Sequence, residues 1–526
     1  MRTRRMRKVA AALLSVLMLT TLMVFIAPSG AGACGYGKWY LPEGYTGGNF
    51  DTYILAQNPN DCEAKIKVRF MTDTGVTEPV EYEMKPLSRL TIKVNDIKGL
   101  EDANVSTMVE QLEGSGIVVE RAMYFTYEDG KAGGSDSIGA NQTSNSWYLA
   151  EGYTGEGFDT YILVMNPNEQ VAHIEAKFIT RPTTSGTGGI EPNYIVKKYD
   201  IDPMRRLTIH VDEIPGLEDT EVSTEIFSVP AGAGEGETAP GVVAERSMYF
   251  NYLGVNGGHC SIGAPASSNH WYLPEGRTAG EYDTYVLVMN PNSTRTHIDA
   301  SFMVPANNAG GGREMKPHDP PDSTPETEPV SNKIVRKEFI LEPFERYTIA
   351  VDKIEGLEST DVATMIQSCA ASTEEGAGGE CGNPVVVERA MYFTRGNNGD
   401  GHNTIGATMK REYWLLAEGY TAEKFDTWVL VMNPNASDVK VRITYLKPEG
   451  EPIVKDYEVK GLSRLTIPVD EIPGLEATEV SSKIQVLGTV DGRGAACEYG
   501  IIAERAMYFE YNGIVGGHCS LGVGEY

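Results

Sequence analysis

Charged side chains recur at fixed places in this sequence, and their types suit ion pairing, acid–base catalysis or metal binding. Four sets share a context: a glutamate after an aromatic start, an aspartate before an apolar run, an arginine before an LTI or YTI run, and a Glu-Arg pair. Their members are Glu43, Glu151, Glu275, Glu418; Asp51, Asp159, Asp283, Asp426; Arg89, Arg206, Arg346, Arg464; and Glu120-Arg121, Glu245-Arg246, Glu388-Arg389, Glu504-Arg505. Four copies of the same acids suit architecture better than one catalytic cleft, so we predict a structural ion network in which Arg89 and Arg121 pair with Glu43, Asp51 or Glu120.

Two other chemistries compete with this interpretation. Carboxylates gathered at one end of a domain would suit Ca²⁺, which takes six to eight oxygen ligands. No D-x-D-x-D-G loop is present, so no cofactor is predicted and Ca²⁺ stays an open alternative. Paired carboxylates would also suit a hydrolase, but the sequence contains no G-x-S-x-G, H-E-x-x-H, P-loop or dinucleotide glycine motif.

Histidine stands beside cysteine in GGHCSIG at 257–263 and GGHCSLG at 516–522. Adjacent residues on a strand point to opposite faces, so neither pair makes a nucleophile with its base. The first unit has SDSIG and the third has HNTIG at this place, so a unit folds without the cysteine, and we expect His259 and His518 to be loop residues.

Each of the four aromatic starts begins with a tryptophan that is a candidate for stacking on sugar rings: Trp39, Trp147, Trp271 and Trp414. A tryptophan in a small sandwich more often fills the core. The fourth start, Trp414-Leu415, lacks the second aromatic residue of the others, which weakens a shared sugar platform.

The elements that position these residues are repeated as well. EGFDTYILVMNPN at 156–168 has near-copies at 48–60, 280–292 and 423–435, which indicates four homologous units. After residues 1–33 the units span 34–143, 144–267, 268–410 and 411–526. The third unit contains a polar, proline-rich insertion at 305–332 that we predict to be disordered.

Each unit has the pattern of a β-sandwich. Ala64, Ile66, Val68 and Phe70 alternate with polar residues, the period of a half-buried strand. About eight such short runs per unit predict an all-β chain of four tandem Ig-like antiparallel β-sandwich domains. Short linkers predict a semi-rigid row spanning on the order of 150 Å. The alternative is a closed propeller-like ring with two blades per unit.

The N-terminus predicts export. Basic residues precede an apolar run from Val9 to Ala27 and a small-residue site at Ala31–Ala33, the pattern of a cleaved signal peptide. An uncleaved anchor and a lipidated Cys34 are the alternatives. No second apolar run of membrane length follows, so no membrane span is expected in the mature chain.

Cleavage of the signal peptide would remove five positive charges and move the formal net charge from -28 to -33. A surface this acidic disfavours nucleic acid as a partner.

Seven cysteines fit an oxidising compartment. Cys369 and Cys381 flank an insertion, so they are the first disulfide candidates. Cys34 with Cys62 and Cys497 with Cys519 are the next pairs, and Cys260 is left over.

The combined motif WYLAEGYT, FDTYILVMNPN, SRLTI, DEIPGLE, AERAMYF and GGHxSIGA resembles the repeats of a family of bacterial secreted and cell-surface proteins of unknown function. The resemblance covers nearly all of the mature chain. It implies an extracellular β-rich module and supplies no established active site.

The sequence therefore predicts a non-enzymatic extracellular or cell-surface protein that acts as a spacer, adhesion or assembly module. The expected partner is a cell-envelope polymer or an extracellular protein, and self-assembly is compatible with the pattern. The alternatives are a carbohydrate-binding array that uses the Trp-Tyr platforms and, third, a secreted hydrolase that uses the repeated carboxylates.

Overall fold

The structure is a computed structural model that describes residues 37–184, 190–232, 238–304, 333–369, 382–395 and 398–525. The predicted leader at 1–33, the lipidation alternative at Cys34 and the predicted disorder at 305–332 lie outside the described residues. No helix in the described ranges is long and apolar enough to cross a bilayer.

The described chain is built almost entirely from strands, which occur in four sets. The first set is β1 Lys38–Leu41, β2 Phe50–Asn58, β3 Ala64–Thr72, β4 Val80–Met84, β5 Ser88–Lys93, β6 Val105–Glu113, β7 Val118–Thr126 and β8 Ala132–Ile138. The second set is β9 Ser146–Leu149, β10 Phe158–Asn166, β11 Ala172–Thr184, β12 Ile190–Ile201, β13 Arg205–His210, β14 Ser223–Val229, β15 Val243–Tyr252 and β16 Val255–Ile262.

The other two sets repeat this order. The third is β17 His270–Leu273, β18 Tyr282–Asn290, β19 Thr296–Val304, β20 Lys333–Leu341, β21 Glu345–Ala350, β22 Ala363–Cys369, β23 Val386–Arg395 and β24 Asn398–Ile405. The fourth is β25 Tyr413–Leu416, β26 Phe425–Asn433, β27 Val439–Leu446, β28 Ile453–Val459, β29 Ser463–Pro468, β30 Ser481–Thr489, β31 Ile502–Tyr511, β32 Ile514–Leu521 and β33 Val523–Glu525. Short 3-10 turns lie at Val94–Asp96, Glu128–Gly130, Val211–Glu213, Val351–Lys353 and Ala496–Glu498.

Each set forms two antiparallel sheets that enclose an apolar core. In the first unit the outer sheet has the order β1-β6-β3-β4 and the inner sheet has the order β5-β2-β7-β8, and the other units repeat both, with β33 added to the outer sheet of the fourth. The predicted alternation in β3 is observed, because Ala64, Ile66, Val68 and Phe70 are buried between the sheets. The predicted all-β fold of antiparallel β-sandwiches is confirmed.

The repeated Asn-Pro-Asn segment is a structural turn. Asn166 donates from Nδ2 to the carbonyls of Gln170 (2.8 Å) and Ile201 (2.9 Å), and its Oδ1 accepts from Asn168. Asn168 in turn donates to Gly241 O at 2.8 Å. The two amides thus satisfy backbone groups where one sandwich sheet passes to the other, so the most strongly repeated tract marks the fold.

The four units close into a ring. The inner-sheet strand β8 contacts both β16 and β32, and β24 contacts the same two strands from the opposite side. The last unit therefore meets the first around one axis, and the predicted extended row is wrong. The core of the second unit also extends to Met71 and Met108 of the first. Unlike the propeller alternative, each unit contributes one whole sandwich rather than two blades.

Candidate functional site

The adjacent Glu-Arg pairs join neighbouring units. Because neighbouring residues on a strand point to opposite faces, each unit directs its arginine toward the next unit and its glutamate toward the previous one. The resulting guanidinium–carboxylate contacts are Arg121–Glu245 at 2.9 Å, Arg246–Glu388 at 2.7 Å, Arg389–Glu504 at 2.9 Å and Arg505–Glu120 at 3.3 Å. All eight residues are fully buried. The cycle is complete, since the fourth pair joins the last unit to the first.

The glutamates after the aromatic starts give three of these arginines a second carboxylate. Arg246 donates to Glu151 at 2.8 Å, Arg389 donates to Glu275 at 2.7 Å, and Arg505 lies 2.8 Å from Glu418. In the first unit Glu43 instead accepts from Ser247 Oγ at 2.7 Å, while Arg121 donates to the Glu43 carbonyl. Arg246, Arg389 and Arg505 therefore each face at least two buried carboxylates.

Burial controls the protonation of these clusters. It raises the pKa of Glu120 to about 7, against the opposing effect of Arg505. It also raises the pKa values of Glu388 and Glu504, although Arg246 and Arg389 oppose it. Backbone N–H donors complete the sites, since Glu120 also accepts from Ala417 and Glu418 in the last unit.

The arginines before the LTI and YTI runs form a second set of contacts between units. Arg206 donates to the carbonyls of Pro42 and Gly44 in the first unit, and Arg464 does the same to Pro274 and Gly276 in the third. Arg89 donates to Gly419 O and Val480 O, and Arg346 lies 3.2 Å from Glu221. We expected Arg89 and Arg121 to pair with Glu43, Asp51 or Glu120 of their own unit. The structure instead places their carboxylate partners in neighbouring units.

The recurring aspartates lie closer to the surface. Asp51 contacts Lys93 at 2.8 Å, and Asp159 contacts Lys131 at 2.7 Å. Asp283 accepts from the Tyr252 hydroxyl of the preceding unit at 3.2 Å. Asp426 lies near Asp470, whose pKa burial raises to about 6.

The His-Cys pairs lie at the centre of the ring. His259 and His518 are buried in β16 and β32, so the prediction of loop residues is wrong. The Gly-Gly pairs before them allow the inner strands to approach one another closely. Burial lowers the pKa of His259 well below its ordinary value.

The cysteines of the described chain are free thiols. Cys260 and Cys519 are buried and receive N–H groups from Arg121 and Arg389, each at 2.6 Å. Cys62 and Cys497 are exposed. The predicted Cys497–Cys519 disulfide is therefore wrong, since one sulfur lies inside the ring and the other on its surface. Cys34, Cys381 and the side chain of Cys369 lie outside the described residues.

The described residues do not fit Ca²⁺. The tightest acidic groups with histidine or cysteine are Glu275/His402/Cys519, Asp136/Glu418/His518 and Asp159/His210/Asp212. Arg389 and Arg505 already supply the cation in the first two groups. In the third, Lys131 contacts Asp159. None of the three offers the six to eight oxygen ligands that Ca²⁺ takes.

The tryptophans of the aromatic starts belong to the core. Trp39, Trp147, Trp271 and Trp414 are each 5% exposed or less. The indole N–H groups of the last three donate to Val242 O, Val385 O and Ile501 O at 2.7 to 2.9 Å. Each ring anchors its sandwich, as the core interpretation predicts, and the alternative of sugar-stacking platforms at these four residues is wrong.

An open groove lies between the second and third units. Its volume is about 670 Å³. Its aromatic wall consists of Tyr153, Phe158, Tyr252, Tyr285 and Tyr392. The rings of Tyr252 and Tyr392 stack across the unit boundary at 4.4 Å, and the hydroxyls of Tyr252 and Tyr285 lie 2.8 Å apart.

Charged groups also line this groove. Glu221 accepts from Arg181 at 2.7 Å and lies 3.2 Å from Arg346. Glu156 adds a further carboxylate, and Leu253 stands beside the groove at 86% exposure. The groove thus combines flat apolar rings with hydrogen-bond donors and acceptors.

The residue that pairs with the groove tyrosine differs from its counterparts in the first and second units. Tyr285 pairs with Ala350 on the neighbouring strand, where the corresponding partners are Lys93 for Tyr53 and His210 for Tyr161. Lys93 lies over the Tyr53 ring at 5.6 Å, and His210 stacks on Tyr161 at 4.3 Å. Ala350 has no side chain long enough to cover Tyr285.

The boundary between the third and fourth units differs from the other three. Trp428 takes the place of the tyrosine and pairs with Pro468. Arg277 replaces the tyrosine after the aromatic start, contacts Asp361 at 2.9 Å and lies over the Tyr282 ring at 5.3 Å. The aromatic wall is therefore not the same at every boundary. Sequence patterns within one unit do not reveal the groove, since its walls come from two units.

Comparison with known proteins gives no family. No protein-family model matches the chain, and no curated protein matches it. Among solved structures, a Thermotoga maritima protein designated 1070 is 15% identical over 22% of this chain and 96% of its own, with a TM-score of 0.19. The Anabaena sensory rhodopsin transducer is 20% identical over 18% and 92%, with a TM-score of 0.15.

A third solved structure is a tetra-tandem repeat from the extending region of a large adhesion protein. It is 9% identical over 88% of this chain and 92% of its own, with a TM-score of 0.10. Likenesses this weak carry no argument about function. The sheets themselves define the class: an all-β protein of repeated antiparallel sandwiches.

Proposed function

We propose that this protein is a non-enzymatic, exported recognition and assembly module whose ring presents the groove between the second and third units to a partner. The groove carries the proposal, because it is an open site with an aromatic wall and charged groups at its edge. The repeated carboxylates are engaged elsewhere, in buried contacts that hold the units together. The closed ring also removes the basis for a long spacer.

The partner that we propose is a cell-envelope polymer or an extracellular protein. Export is supported by the leader-like N-terminus, and the acidic composition disfavours nucleic acid. The repeat motif supports placing the chain with the bacterial secreted and cell-surface repeat family that it resembles. Detection of the processed chain in the extracellular or surface fraction of its native host would support this placement, and retention in the cytoplasm would contradict it.

Carbohydrate binding is the second candidate, and the groove favours it more than the buried tryptophans do. Tyrosine faces stack on sugar rings, and the Arg181–Glu221–Arg346 group offers charged partners for hydroxyls. A saccharide site here would use two units at once. This differs from the array of four equivalent sites expected from the sequence.

Calorimetry on the mature chain against a defined panel tests both candidates. The panel contains peptidoglycan fragments, neutral and acidic polysaccharides, and purified extracellular proteins of the native host. The Ala350→Lys variant should weaken the affinity for a groove ligand at least about tenfold, or about 1.4 kcal/mol, because the lysine side chain would cover Tyr285. Lys93→Ala alters a different boundary and serves as the matched control. Binding that both variants leave unchanged would contradict a role for the groove, and silence across the panel would remove the carbohydrate candidate.

A further inference from the structure

A single carboxylate lies where the four units meet. Asp400 is fully buried in β24 and accepts four backbone N–H groups, two at each oxygen. The donors are Gly401 at 2.8 Å, Gly134 at 3.1 Å, Gly258 at 3.2 Å and Gly517 at 3.2 Å. One donor comes from each unit, so the carboxylate joins all four inner sheets.

The position of Asp400 is repeated, although the aspartate is not. Asp400 pairs with Phe393 of the adjacent strand, as Gly133 pairs with Phe125, Gly257 with Phe250 and Gly516 with Phe509. A Cβ added to any of these three glycines would lie less than 3.0 Å from a carboxylate oxygen of Asp400. Side chains at all four positions would therefore point into the same small space, which has room for one carboxylate.

The second glycine of each pair is fixed for a different reason. A Cβ on Gly258 would lie 2.9 Å from Cζ of Phe125 in the preceding unit, and one on Gly401 would lie 2.9 Å from Cζ of Phe250. The amide N–H groups can reach the axis only because these residues have no side chain. The four phenylalanines keep the surroundings of the carboxylate apolar.

The chemistry of this arrangement is that of an anion site. Converging backbone N–H groups bind anions, and a carboxylate that accepts several of them is favoured in its ionised form. Burial raises the pKa of Asp400 well above its ordinary value, and the four N–H groups act in the opposite direction. A protonated carboxyl would turn its O–H toward N–H groups that are themselves donors.

We propose that the ring axis is an anion-binding site formed by four glycine amides, that the Asp400 carboxylate is its built-in occupant, and that any one of the four units can supply it. Without that side chain the site takes a small monovalent anion such as formate. This inference is independent of the proposed function, since the axis is separate from the groove.

The first experiment removes the occupant from the full mature chain. Asp400→Gly should unfold at a lower temperature than the wild type in buffer without formate. Added sodium formate should raise its unfolding temperature in a saturable way, as ligand linkage requires, whereas sodium pivalate at equal ionic strength should not, because this carboxylate is too bulky for the small space. The wild type should show no formate-specific rise. An equal response of both proteins, or no response of the variant, would overturn the anion site.

The second experiment moves the carboxylate to another unit. Combining Asp400→Gly with Gly133→Asp should restore the unfolding temperature, because the three atoms nearest a Cβ at Gly133 all belong to the Asp400 carboxyl group that this combination removes. Gly133→Asp alone should be destabilised by two carboxylates in one site. Combining Asp400→Gly with Gly134→Asp is the matched control and should not restore stability, since a Cβ there would lie 2.5 Å from Cζ of Phe509. If Asp400→Gly does not fold, a combination with Gly133→Asp that also fails to fold would overturn the proposal.

Discussion

Arg505 of the last unit lies 3.3 Å from Glu120 of the first, and both side chains are fully buried. The contact repeats what Arg121, Arg246 and Arg389 do at the other boundaries. A linear array of four units would leave one such arginine and one such glutamate without partners at its ends. Ring closure is therefore required by the same side chains that recur in the sequence.

Removing one arginine of this cycle should destabilise the whole ring. Arg505→Met leaves Glu120, Glu418 and Asp136 buried together without their cation, which costs about 3 to 5 kcal/mol. The midpoint of urea unfolding should fall accordingly. Arg442→Ala is the control, since the Arg442–Asp456 pair lies on the surface, where water screens it, and its loss should shift the midpoint far less. Equal effects of the two variants would contradict a closed ionic cycle.

Stability should depend on pH through Glu120. Its pKa in the folded ring is raised by burial from 4.5 to about 7, with Glu418 and Asp136 adding to the rise and Arg505 opposing it. Between these two values the folded chain binds more protons than the unfolded chain, so this residue's contribution to stability falls as pH rises. Glu120→Gln should reduce that fall in urea midpoints measured from pH 4.5 to 7.5. An unchanged slope would contradict the assignment.

Asp136, in the same cluster, makes stability depend on pH in the opposite direction. Burial alone would raise the pKa of Asp136, but Arg505 and His518 lower this pKa to about 2, from an ordinary value of 3.8. Its contribution to stability is therefore present above pH 3.8 and is lost as pH falls toward 2. Data collected above pH 4.5 thus separate the effect of Glu120 from that of Asp136.

The sequence predicts the individual sandwiches well because strand patterning is local. Ala64, Ile66, Val68 and Phe70 reveal their buried face by alternation alone. The ring is not predictable in this way, since Arg121 pairs with Glu245 more than a hundred residues later. One feature of the sequence does indicate contact between units. Val118–Phe125 is apolar on both faces except for Glu120 and Arg121, so the second face of the inner sheet must also be buried. Tyr285 and Ala350 became a candidate site only through the neighbouring unit.

The reactivity of the cysteine thiols should depend on whether they are exposed or buried. Cys62 and Cys497 are exposed and should be alkylated by iodoacetamide in the native chain. Cys260 and Cys519 should react only after unfolding, because they are buried and burial raises the pKa of each thiol. Peptide mass spectrometry with and without urea measures each site separately. Rapid native labelling of Cys260 or Cys519 would mean that the ring opens in solution.

Access to Tyr285 should depend on the residue opposite it. Lys93 in the first unit contacts Asp51 at 2.8 Å and covers Tyr53, and the third unit has Asp283 and Tyr285 at these places but Ala350 instead of the lysine. Ala350→Lys should therefore find an aspartate partner and shield Tyr285 from hydroxyl-radical labelling. Lys93→Ala should do the reverse and increase labelling of Tyr53. The two variants exchange one structural feature between boundaries. Decreased labelling of Tyr285 together with increased labelling of Tyr53 would confirm that this position sets access to the tyrosine. Changes in the same direction, or no change, would contradict it.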